Sequence, residues 1–147
     1  MFASYGYGTS ISQLSSARFS IDVEDIPAYG CHKLLWYNKT LVNGPKFTNL
    51  KSIGDHGLEY AFDNCSSLSS VEIPSTPISV GSYGCNYAFS ESGIKTVDNL
   101  SLSGIGAYGC SYMFSNCSAL TSVNDLYLYG SALSSTNVAN NRCTRMF

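Results

Sequence analysis

The sequence predicts a mainly β solenoid of about five turns, built from short parallel strands with little helix. Three observations carry that expectation. A ten-residue pattern recurs at Ile53–Phe62, Val80–Phe89 and Ile105–Phe114, with weaker copies at Ile26–Leu35 and Val138–Phe147. The apolar residues of these copies fall into shared columns. No segment sustains the apolar spacing of a long amphipathic helix, so only single helical turns near the Phe column are expected.

The opening aliphatic of each copy stands at positions 26, 53, 80, 105 and 138, spaced by 27, 27, 25 and 33 residues. Residues 1–25 read as a degenerate first turn and residues 26–147 as one continuous solenoid domain. Four columns follow: Ile26/Ile53/Val80/Ile105/Val138, Leu35/Phe62/Phe89/Phe114/Phe147, Leu41/Leu68/Ile94/Leu120 and Val71/Val97/Val123. One such unit is too short to bury its own apolar face, but stacked units turn each column into a continuous interior ladder. Residues 71–73, 97–102 and 126–128 alternate apolar with polar and read as short strands. Gly54, Gly81, Gly106, Pro27, Pro74 and Pro77 mark the joints where the chain turns.

Both ends fall at one phase of the repeat. Met1-Phe2 and Met146-Phe147 repeat the Met113-Phe114 pair, and 24 residues separate Phe2 from Ile26 as they do Phe114 from Val138. Neither end resembles the polar cap a solenoid ordinarily needs. Two readings stay open: a segment of a longer solenoid, and a subunit whose ends associate head to tail. The first residues, Met1 to Gly8, carry neither the basic nor the apolar stretch of a signal peptide, and no run approaches a membrane-spanning length.

Residues 53–123 resemble BspA-type leucine-rich repeats. The residues that carry the likeness are Leu68-Ser-Ser-Val71-Glu-Ile73-Pro74, Val80-Gly81, Ala88-Phe89 and Asn64-Cys65-Ser-Ser-Leu68, with the run from Tyr112 to Ser122 the most specific. A Tyr-Gly-Cys insertion between the turn glycine and the Ala-Phe pair lengthens most units. The resemblance implies a leucine-rich-repeat solenoid used as a surface-exposed adhesion and recognition module, and it implies no catalytic residues.

Composition narrows the function classes. Charged residues are 12% of the chain, against about twice that in an ordinary soluble domain, and the formal net charge is −2. That balance lacks the basic footprint nucleic-acid binding needs. Cysteines are six, but the register places Cys31, Cys85, Cys110 and Cys143 in one column and Cys65 and Cys117 in a second. Cys65 and Cys117 lie two turns apart with Ser92 between them, about 10 Å at ~4.8 Å per stacked strand, beyond the ~7 Å a disulfide tolerates. Only Cys85 and Cys110 come within bridging range, so mostly free, buried thiols are expected. No Cys-x-x-Cys occurs and the histidines are His32 and His56 alone, so neither a metal site nor a cofactor is expected.

Other motifs have plainer explanations. Gly104-x-Gly106-x-x-Gly109 matches the dinucleotide fingerprint in form, yet no helix is expected after it, and Gly106 is the repeat's turn glycine. Asn38, Asn64, Asn99 and Asn116 begin glycosylation-type triplets that read as turns. Asp22, Glu24 and Asp25, and likewise Lys33, Lys39, Lys46 and Lys51, read as solvated faces of the first turns. His32 adjoins Cys31, but neighbours on extended chain point to opposite faces, so no nucleophile gains a base. The chain is therefore expected to be non-enzymatic.

The tyrosines are the candidate binding residues. Tyr60, Tyr87 and Tyr112 share one column; Tyr29, Tyr83 and Tyr108 share another, completed by His56. Stacking makes them aromatic stripes, suited to recognition and to sugar rings, or equally to stabilising the ladder. The expected function is a binding and adhesion module contacting protein or glycan on a host or neighbouring surface, at a cell surface or virion. The alternative is a self-stacking structural subunit of a fibre, filament or phage virion.

Overall fold

The computed structural model describes residues 20–129 and 141–147. All of its regular elements are short strands: β1 (Ser20–Ile21), β2 (Asp25–Ile26), β3 (Asn43–Phe47), β4 (Ser52–Ile53), β5 (Ser70–Glu72), β6 (Ile78–Val80), β7 (Thr96–Asp98), β8 (Ser101–Ser103), β9 (Ser122–Asn124) and β10 (Tyr127–Tyr129). Every strand pairing is parallel and joins neighbouring coils. One sheet runs through all coils in the order β10-β8-β6-β4-β2. The chain is thus a β-solenoid of about four coils, with residues 141–147 starting the next.

The second sheet is split into β1-β3-β5 and β7-β9. Val97 pairs with Val123 as the columns predict, whereas Val71 pairs with neither. The third coil is one residue shorter after its Phe, and Pro74 and Pro77 follow β5 without an N–H to donate. The ladder therefore breaks between β5 and β7. In β3, Gly44 and Pro45 form a bulge that shifts the register between Asn43 and Lys46.

No helix forms among the described residues, so the single helical turns expected near the Phe column are absent. A ribbon of overlapping β-turns takes their place. In the first coil Gly30, His32, Leu34, Trp36 and Asn38 each donate N–H to the carbonyl three residues back. The residues between them donate instead to the next coil: Tyr29 to Asp55 (3.0 Å), Cys31 to Gly57 (2.8 Å), Lys33 to Glu59 (3.0 Å) and Leu35 to Ala61 (2.8 Å). Later coils repeat the scheme, down to Phe114 N–H on the Met146 carbonyl at 2.7 Å. Both halves of the backbone's hydrogen-bonding capacity are satisfied, one within the turn and one between coils.

Every fourth ribbon residue has positive φ, as the third position of a type II turn requires. Those residues include Tyr29, Lys33 and Tyr37, then His56, Tyr60 and Asn64, then Tyr83, Tyr87 and Glu91, then Tyr108, Tyr112 and Asn116. They point outward. Two residues after each of the first two in every set comes an inward residue, such as Leu58 and Phe62 or Cys85 and Phe89, all at most 3% exposed. The Tyr-Gly-Cys insertion is now explained: at Gly84 a Cβ would lie 2.8 Å from Val80 Cγ1, so the ribbon closes over the opening aliphatic only with glycine.

Phe62, Phe89, Phe114 and Phe147 stack face to face at 5.2, 5.5 and 5.5 Å, and form the spine of the core. Leu41, Leu68 and Ile94 are wholly buried beside it. The core leaves an apolar void of about 10 Å³ near Leu58, Cys85 and Phe89, at most one water in size and without room for a ligand. Phe2 and Val138 lie outside the described residues.

Gly104 is a register device. The strands pair Ile78 with Leu102 and Ser79 with Ser103, yet the Val80 carbonyl accepts from Gly106 as that of Ile53 does from Gly81. One residue is extra, and Gly104 absorbs it at φ +52° with nothing closer than 3.9 Å to an added Cβ. The apparent dinucleotide fingerprint is a bulge glycine followed by two ribbon glycines, and no helix follows.

Candidate recognition surface

The left-handed positions lift the tyrosines onto one face. Tyr29, His56, Tyr83 and Tyr108 stack at 4.7, 4.9 and 5.0 Å, with ring planes within 13° of parallel. Tyr60, Tyr87 and Tyr112 stack beside them at 5.0 and 4.6 Å. The seven residues the register selected are thus brought into two continuous stripes, both on the ribbon face.

The stacking limits what the stripes offer. A ring between two parallel neighbours has both faces covered, so the inner rings present edges and hydroxyls rather than faces. The Tyr108 hydroxyl accepts from Asn141 Nδ2 at 3.0 Å. Those of Tyr60, Tyr83, Tyr87 and Tyr112 have no hydrogen-bond partner among the described residues, and none is buried. They form a rank of free phenolic groups at the coil repeat. Burial, aided by Glu59 beside Tyr60 and by Tyr112 beside Tyr87, pushes both phenols above their ordinary value, so they are neutral donors at physiological pH.

Cations close the second stripe. Lys33 Nζ lies 5.7 Å from the Tyr60 ring centre and Arg145 Cζ 6.0 Å from that of Tyr112. Both occupy the Tyr60 column, so the column reads Lys33-Tyr60-Tyr87-Tyr112-Arg145. Ring quadrupoles favour a cation at an open face. Continuing the column past its tyrosines would have found them in the sequence.

Glu59 was invisible to the column reading. Its side chain is largely buried, its Oε2 lies 2.7 Å from His56 Nδ1 and 3.4 Å from His32 Nδ1, and its Oε1 accepts from Asn86 Nδ2 at 3.2 Å. It orients His56 within the first stripe. Burial pulls the His32 imidazole below its ordinary pKa, against the pull of Glu59. Among the described residues no group of His, Cys, Asp or Glu is arranged to hold a metal.

The lysines separate into two kinds. Lys46 pairs with Glu72 at 3.2 Å and Lys51 with Glu24 at 2.8 Å. Lys33 and Lys39 form no ion pair with a described residue; they lie over Trp36 (4.9 Å) and Tyr37 (5.1 Å).

All six cysteines are free. At the second corner Cys65 and Cys117 donate Sγ–H to the Leu35 and Phe89 carbonyls of the preceding coil at 3.1 Å each. Burial pushes the Cys65 thiol up to about 12. Cys85, Cys110 and Cys143 stand on consecutive coils, and the wholly buried Cys110 thiol is raised by hydrogen bonding with both neighbours. Burial likewise raises the Cys31 and Cys117 thiols, whereas the half-buried Cys143 thiol is lowered by its hydrogen bond with Cys110.

Six copies of the BspA type leucine rich repeat region match residues 33–140. The chain belongs to the BspA-type leucine-rich repeat family. No curated protein and no solved structure matches it. Membership makes it a repeat protein of a binding and adhesion class. The BspA-type columns coincide with the observed stacking: the Ala-Phe pair fills the spine and the Asn-Cys pair turns the corner. Among the described residues no helix is long and apolar enough to cross a membrane.

Proposed function

We propose that this BspA-type solenoid is a non-enzymatic adhesion module at a cell or virion surface, and that the two tyrosine stripes of the ribbon face contact a protein or glycan partner. The observation that carries the reading is the rank of unpartnered hydroxyls on Tyr60, Tyr83, Tyr87 and Tyr112. Phenylalanine would stack as well in these columns, so stacking alone gives no reason for the hydroxyls. Tyrosine supplies contact area and a hydrogen-bonding tip at low entropic cost.

The test compares the full chain with a Tyr60→Phe/Tyr87→Phe/Tyr112→Phe variant on a glycan array and on immobilised extracellular proteins. Retained folding with at least tenfold weaker binding, about 1.4 kcal/mol, supports the reading. No binding by the parent chain, or binding unchanged in the variant, overturns it.

Self-association is the second reading, favoured by the coil-to-coil stacking of the Phe spine at 5.2–5.5 Å, which can run from one copy to another. Sedimentation velocity across a wide concentration range separates the two: growth in size abolished by Phe147→Asp supports stacking, and a monomer throughout removes it.

A further inference from the structure

The stacked stripes cover most of their own aromatic faces, and the exposed rings outside them lie in the first coil and at the far end of the solenoid, at Tyr127, Tyr129 and Phe147. Trp36 is 37% and Tyr37 49% exposed. Neither belongs to a ladder: the Trp36 column continues as Asp63, Ser90 and Ser115, and the Tyr37 column as Asn64, Glu91 and Asn116. No ring on the next coil covers them. The two rings stand at 87° with centres 4.7 Å apart, which makes an open corner rather than a stack. Trp36 Nε1 donates to Asp63 Oδ2 at 2.9 Å, which locks the indole.

Two ammonium groups and one carboxylate, that of Asp63, meet at this corner. Lys33 Nζ lies over the indole and Lys39 Nζ over Tyr37, and neither pairs with a described carboxylate. Asp63 is engaged by the indole, and Asn64 Nδ2 also reaches it at 3.5 Å. Glu59, on the next coil, is largely buried and engaged by His56 and Asn86, and Glu91 is two coils away. Lys39 Nζ donates to Asn64 Oδ1 at 3.1 Å, which holds the ammonium at the rim of the corner.

We infer that Trp36, Tyr37, Lys33 and Lys39 form a subsite for a carboxylated saccharide, a sugar ring against the open aromatic corner with its carboxylate on the two lysines. It deepens the adhesion reading but uses none of the stripe hydroxyls. A carboxylated sugar fits better than single-stranded nucleic acid, which needs a basic groove along several nucleotides. Two ammonium groups in a chain of net charge −2 make no such groove.

The test is a titration of the full chain with labelled short fragments of hyaluronan and of polysialic acid. An uncharged chito-oligosaccharide of equal length, polyglutamate of equal charge and oligothymidylate serve as comparators. The expected result is binding of at least one carboxylated saccharide, weakened by salt, and weakened roughly tenfold in Trp36→Ala and severalfold in Lys39→Gln. The chito-oligosaccharide should bind at least tenfold more weakly, and polyglutamate and oligothymidylate should not compete. Lys39→Gln touches no core residue, so its loss of binding is not a folding effect. No binding of either saccharide overturns the inference, as does equal binding of the uncharged sugar, competition by polyglutamate or oligothymidylate, or indifference to both substitutions. The triple Tyr→Phe variant separates this site from the stripes: saccharide binding kept there and lost in Trp36→Ala upholds the subsite whatever becomes of the stripes.

Discussion

The ribbon face and the sheet faces obey one stacking rule and produce opposite surfaces. Apart from Val123, Tyr127 and Tyr129 on the last two strands, the outward residues of the sheets are mainly Ser, Thr, Asp, Asn and paired ions, tied between coils by bonds such as Asn124 Nδ2 to Asp98 Oδ1 at 2.8 Å. Extended strands project these side chains at no conformational cost. On the ribbon the residues of the two stripes occupy left-handed backbone positions, which cost a non-glycine residue about 1–2 kcal/mol. Asparagine tolerates that region best and fills it at Asn64 and Asn116. Tyrosine tolerates it poorly, yet holds six of these positions in the two stripes. Ring stacking contributes about 0.5–1.5 kcal/mol per pair, enough to offset the strain and little more. The sheets are therefore cheap solvated walls, while the ribbon maintains an ordered aromatic surface that adds little net stability.

The sharpest test of that contrast is Phe89→Ala against Tyr87→Ala. Phe89 lies inward between two spine rings and should cost about 3–5 kcal/mol in urea unfolding, whereas Tyr87 should cost under ~1 kcal/mol. Equal losses would make the outward stripe a part of the core. Next in size is Gly84→Ala, expected to cost about 1–3 kcal/mol because its Cβ meets Val80 and the Gly81 carbonyl at 2.8 and 3.1 Å. Gly104→Asn, in open space at positive φ, should stay within about 0.5 kcal/mol of the parent.

A third test uses pH. The folded state holds His32 below its ordinary value of 6.5, so the unfolded chain binds its proton more readily. Stability contributed by neutral His32 is present above 6.5 and lost as pH falls toward its lowered folded value. Asp63, raised by burial, acts with the opposite sign just above 3.8. His32→Gln should flatten the acid limb of a stability-against-pH curve measured by thermal unfolding; an unchanged limb would assign it elsewhere. The smallest effect is expected from Tyr87→Asn, where relief of backbone strain offsets lost stacking to within about 0.5 kcal/mol. A large loss there would mean that the stack dominates.

The repeat made much of this legible. Columns of identical residues gave the Phe spine, both tyrosine stripes and the spacing of Cys65 from Cys117, because in-register stacking turns sequence identity into spatial adjacency. What period and composition could not show was which columns face out. That depends on left-handed φ at every fourth residue, and tyrosine is among the last residues from which one would infer it. Mutual coverage of the ring faces was hidden for the same reason, and it removes the inner rings as sugar-stacking platforms. Glu59 escaped because its column reads His32-Glu59-Asn86-Ser111, with no repeated identity to mark it. The split of the second sheet turned on one missing residue after Phe89 and two prolines after β5.

The alternation of N–H groups along the ribbon has a consequence for how such chains diversify. A single inserted residue would exchange the groups that bond within the turn for those that bond the next coil, and two would restore that alternation but turn the outward column inward. Four inserted residues would restore the phase and add one further outward position on that coil. Length changes that preserve the pattern therefore come in steps of four, and each step adds one outward position and, two residues on, one inward position to the coil.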